Sequence, residues 1–102
     1  MRKHTPWGTA QDSTGLAPGI ISYSTAGHGG IWLSRKRQQQ LKYTRNYSGN
    51  TEWWEKDCDW VVPYITFASD IEKHGTAYRF TENLANALII AKRYHPDFYV
   101  GK

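Results

Sequence analysis

The stretch that decides the fold is Gly19-Ile20-Ile21-Ser22-Tyr23-Ser24-Thr25-Ala26-Gly27-His28-Gly29-Gly30-Ile31-Trp32-Leu33. Its first seven residues have strand composition, with Ile21, Tyr23 and Thr25 on one face of the pleat. Ala26 to Gly30 reads as a glycine-rich turn, and Ile31-Trp32-Leu33 reads as the returning strand. A hairpin over residues 19–33 is therefore the organising element.

Outward from it, Ser34 stands where a helix N-cap belongs. The helix formers Arg35 to Leu41 follow, predicting a helix over 35–42. Thr51 fits the cap of a second helix over 52–67. On a helical wheel Trp54, Cys58, Val61 and Ile65 share one face of that helix, and Glu52, Glu55 and Asp59 another. Pro63 kinks it or starts a new turn. Residues 69–75 read as a polar loop and 77–80 as a third short strand. Thr81 caps a last helix over 82–95, carried by Leu84, Ala87, Leu88, Ala91 and Tyr94 and ended by Pro96. The fold class is α+β: a short antiparallel sheet packed against two or three helices. Residues 1–18, rich in Gly, Pro, Ser and Thr, read as an extended N-terminal arm anchored by Trp7, and 19–102 as the single α+β domain.

The chain has 102 residues, enough for one domain. Five Trp and seven Tyr argue against disorder and supply a dense core, each ring burying on the order of 150–250 Å². Cys58 is the only cysteine, so the stapled architecture of small secreted domains is excluded. No apolar stretch follows Arg2 and Lys3, so no signal peptide is expected. The apolar run from Leu84 to Ala91 is too short for a bilayer. A cytoplasmic protein without membrane contact is the expectation.

The net charge is +4, unevenly spread. Residues 1–50 hold seven basic residues and one acid, an excess of six positive charges. Residues 51–102 hold six basic and eight acidic, an excess of two negative. Either the halves attract each other in the fold, or the basic half meets an acidic partner.

Four constellations bear on chemistry. Gly27, His28, Gly29 and Gly30 form a turn whose glycines can adopt positive φ and offer amides to an anion. The alternative is a plain hairpin turn with His28 in solvent. Cys58, with Asp57 beside it and His28 as base, is a candidate nucleophile, and these three are the catalytic candidates. Against this, acidic neighbours raise a thiol's pKa. No Cys/His pair has zinc-ligand spacing, so neither a metal nor another cofactor is expected. Arg35, Lys36, Arg37, Lys42 and Arg45, interleaved with Tyr43 and Tyr47, form the candidate partner-binding segment. Cations with stacking rings suit a protein partner or nucleic acid. Glu52, Glu55 and Asp59 form an acidic face that packs on the basic half or meets a cationic partner.

Pro6-Trp7-Gly8, Ala17-Pro18-Gly19-Ile20, Ser24-Thr25, His28-Gly29-Gly30, Leu33-Ser34, Arg37 and Glu55-x-Asp57-Cys58-Asp59-Trp60 form a string across roughly residues 5–68. That string resembles a domain of unknown function associated with bacteriophage and plasmid-borne genes. The resemblance implies a setting: an accessory protein that binds a host protein or nucleoprotein complex, including host defence systems. The alternatives are a small enzyme or ligand-binding domain using the His28 turn, and a nucleic-acid-binding protein.

Overall fold

The computed structural model describes residues 4–44, 46, 49–75 and 84–100. Its centre is a four-stranded antiparallel sheet whose order follows the chain: β3 (Asp12–Ala17), β4 (Ile20–Ser24), β5 (Gly29–Leu33) and β6 (Trp53–Glu55). The predicted hairpin is β4–β5, with Ile20 opposite Leu33 and Ser24 opposite Gly29. A two-stranded ribbon, β1 (His4–Thr5) and β2 (Gly8–Thr9), precedes the sheet. Helices α1 (Arg35–Gln40), α2 (Val61–Thr66), α3 (Ala68–His74), α4 (Leu84–Tyr94) and α5 (Pro96–Val100) complete a small mixed α+β domain.

Alternation along the strands sorts the sheet into two faces. Ile20, Ile31, Leu33 and Trp54 point to one side, where they are fully buried with Leu16, Trp60, Val61, Val62 and Ile71. The predicted Ile21/Tyr23 face is the other side. There Trp7 meets Trp53 edge-on at 5.6 Å between ring centres, and Tyr23 tilts against Trp53 at 5.8 Å. Trp7 thus anchors the N-terminal segment, as its isolation in a polar stretch predicts.

The rest of that segment departs from expectation. Residues 12–17, read as part of an arm, pair with β4 as an edge strand. Asp12-Ser13-Thr14-Gly15 shows no apolar alternation, so nothing marks a strand until Leu16 and Ala17. A register shift between Gly15 and Ala17 lets both of those neighbours enter the core.

Ser34 caps α1 as predicted, its hydroxyl accepting from the Arg37 amide. The helix predicted over 52–67 forms only in its second half, as α2; its first half is β6 and a turn. Asn50 Oδ1 instead accepts from the Glu52 and Trp53 amides, closing a turn that launches β6. Extended geometry sends Trp54 into the core opposite Ile31 and Trp53 to the outer face opposite Trp32. A helix would have buried only one of the two rings, and aromatic pairs favour strands. Residues 56–60 are a turn. Pro63 lies in the first turn of α2, where its missing N–H is not needed.

Of residues 69–75, read as a polar loop or short turn, 69–74 belong to α3. Gly75 ends that helix in the left-handed region (φ 83°), its N–H donating to the Ile71 carbonyl. Pro96 both ends α4 and opens α5, since a first helical position suits proline. The strand expected at 77–80 and the Thr81 cap lie outside the described residues. No helix of the described residues is long and apolar enough to cross a membrane.

Candidate functional site

The core side of the sheet changes character along its length. At one end it presents Leu33, Ile20 and Ala17, all covered by helices. One step on come Ile31, Ser22 and Thr14, and beyond them Gly29, Ser24 and Asp12. Where the side chains turn polar, a cleft of about 410 Å³ opens. Asp12, Thr14, Ser22 and Ser24 line it from the strands, His28 and Gly29 from the hairpin turn, and Lys56, Asp57 and Trp60 from the turn after β6.

The cleft joins two sequence-predicted elements, the glycine-rich turn and the Glu55–Trp60 segment. His28 and Asp57 both line it, and Cys58 does not. Cys58 is half-buried, and its Sγ donates to Asp59 Oδ1 at 3.8 Å. Burial, together with the Asp59 and Glu55 carboxylates, pushes its thiol up to about 12. A thiol held protonated across neutral pH is a poor nucleophile. Glu55 also ionises less readily than usual: burial raises its pKa, aided by Asp57 and Asp59 and opposed by the Asp57 amide and His28. Its Oε2 accepts from the Asp57 N–H, while Oε1 is buried with no hydrogen-bond partner among the described residues.

The glycines of the turn serve a purpose other than the expected one. None of Gly27, Gly29 and Gly30 has positive φ. A Cβ on Gly29 would lie 2.7 Å from the Tyr23 carbonyl oxygen, and one on Gly30 would collide with the Trp54 carbonyl and Trp7 Cη2. These two positions need the absence of a side chain, whereas Gly27 faces open space. Two amides of the turn are also engaged: Thr25 N–H donates to the His28 carbonyl and His28 N–H to Thr25 Oγ1.

The acidic face does not exist as one surface, because it presumed a helix. Glu52 accepts from Trp32 Nε1 at 2.9 Å, Glu55 turns toward the Asp57 amide, and Asp59 is fully buried. Asp59 Oδ1 lies 3.1 Å from His95 Nε2, and His95 Nδ1 lies 3.2 Å from the Tyr43 hydroxyl. Nothing in the sequence linked Asp59 to His95, 36 positions apart and in no shared motif.

The basic segment is divided. Arg37 turns inward: its guanidinium donates to the Pro18 carbonyl, pairs with Asp70 at 2.7 Å and lies 4.9 Å above the Phe67 ring. Tyr43 turns toward His95. Arg35, Lys36 and Lys42 are exposed and make no ion pair with described residues. Arg45 and Tyr47 lie outside the described residues. Among the described residues, no three His, Cys, Asp or Glu side chains stand together as a metal site.

With this architecture in place, comparison with known proteins supplies a family. The model of a domain of unknown function, DUF7007, matches residues 1–101, and the chain belongs to that family. The match runs past the string at 5–68 and takes in the C-terminal helices. No curated protein and no solved structure matches the chain.

Proposed function

We propose that the domain is a non-enzymatic binding module, an accessory protein of a phage or plasmid that docks on a host protein or nucleoprotein complex and modulates host defence. The observation that carries this reading is the division of the basic segment. Helix α1 buries none of its residues. Its inward cation, Arg37, is used by the fold, and Arg35 and Lys36 remain in solvent with Lys42 just beyond. Unneutralised cations on a surface helix raise the rate and specificity of docking on an acidic partner. The protonated Cys58 thiol, outside the cleft, supports a binding role over thiol catalysis.

The test is capture from host lysate with wild type and with Arg35→Glu/Lys36→Glu, Arg37 being left intact to keep the fold. The reading expects a partner held by wild type and lost by the variant. Equal capture by both overturns it. A partner whose affinity falls steeply with salt and resists protease identifies nucleic acid in the complex.

A further inference from the structure

We propose that the cleft at the polar end of the sheet binds a neutral, polyhydroxylated small molecule, a saccharide of one or two rings. This inference concerns a different surface from α1 and does not depend on that reading.

Thr14 and Ser22 are directly paired across β3 and β4, and Ser24 lies two residues along, opposite Asp12. All four point to the side of the sheet that elsewhere carries Leu33, Ile20 and Ile31. A sheet face under helices is ordinarily apolar throughout. Here it carries hydroxyls that the helices leave uncovered. None of the Thr14, Ser22 and Ser24 hydroxyls bonds to another described residue, although Thr25 Oγ1 nearby is fully used by the turn. Three solvent-reachable hydroxyls converging on one cleft, none bonded to a described residue, are donors and acceptors open to a ligand. A ligand that is itself both donor and acceptor completes them.

The charges at the rim narrow the class. With His28 neutral, Asp12 and Asp57 outnumber Lys56 at the rim, which disfavours a phosphate or other anion. Carboxylates accept from the vicinal hydroxyls of a sugar, and Lys56 donates to a ring or hydroxyl oxygen. The volume of about 410 Å³ lies within the range of small-molecule sites, roughly 300–1,000 Å³.

The experiment uses the ¹⁵N-labelled full chain, titrated separately with glucose, galactose, maltose, lactose, arginine and inorganic phosphate. At least one sugar is expected to shift the Ser22, Ser24, Gly29 and Lys56 amides with a Kd near a millimolar or below. Ser22→Ala, with an otherwise unchanged spectrum, is expected to weaken that sugar about five- to tenfold, the effect of one lost hydrogen bond. Arg35→Glu/Lys36→Glu is expected to leave sugar binding unchanged. Cleft shifts with arginine or phosphate and none with a sugar overturn the proposal. So does silence from all four sugars, or undiminished affinity in Ser22→Ala.

Discussion

Asp59 and His95 meet at 3.1 Å inside the core, 0% and 3% exposed, and tie the turn after β6 to the junction of α4 and α5. A buried carboxylate is tolerated only with partners, and removing one member of the pair takes from the other its partner across the core. His95→Ala is therefore expected to cost about 3–5 kcal/mol, a large share of a small domain's stability. Urea denaturation followed by tryptophan fluorescence measures this. A cost under about 1 kcal/mol would show that the pair contributes no more than an exposed one.

The glycines of the hairpin turn separate cleanly. Gly30→Ala forces a methyl against Trp7 and the Trp54 carbonyl, with an expected cost of about 1–3 kcal/mol or more. Gly27→Ala faces open space and is expected to stay within about 0.5 kcal/mol of wild type. Melting temperatures of the two variants side by side decide it. Equal effects would mean that the turn, not the packing, selects glycine.

Cys58 gives the fold a pH dependence of definite sign. Its thiol holds a proton more tightly folded, at about 12, than unfolded, near 9. Its contribution to stability is complete below pH 9 and is lost as pH rises from there toward 12. Cys58→Ala is expected to flatten that part of the stability curve. Alkylation of native protein by iodoacetamide at pH 8 is expected to run well below the rate for a free thiol. Alkylation at the free-thiol rate would refute the shift.

Arg37 differs from its neighbours in what it holds together. Arg37→Ala removes the Asp70 pair, the bond to the Pro18 carbonyl and the contact over Phe67, for an expected loss of about 1–3 kcal/mol. Arg35→Ala and Lys36→Ala are expected to be neutral within about 0.5 kcal/mol. Thermal melts of the three single variants test this. A comparable loss in Lys36→Ala would remove the distinction between structural and free cations.

The hairpin, the Ser34 cap and the last long helix were legible because each rests on local signals: alternation, a capping hydroxyl and a 3.6-residue repeat. β3 and β6 were not. Asp12-Ser13-Thr14-Gly15 lacks alternation because that end of the sheet meets a cleft instead of a core. The Trp53-Trp54 pair fits either helix or strand until the outer partners Trp7 and Tyr23 are in place. The same error created an acidic face from Glu52, Glu55 and Asp59. His28 and Asp57 were visible as candidates, and the cleft that joins them rests on strand pairings between distant residues. The His95 partnership carried no sequence signal at all.

The bulge at Leu16 has a consequence for the molecule's behaviour in concentrated solution. A sheet exposes two edge strands, and long flat edges recruit further strands from other molecules. Among the described residues β6 stands at one border and is only three residues long, a poor template for another chain. At the other, the shift between Gly15 and Ala17 breaks the regular ladder of β3, and the exposed Asp12 adds charge at its start. Among the described residues both borders are thus short or interrupted, the features that disfavour edge-to-edge pairing in a chain rich in tryptophan and tyrosine.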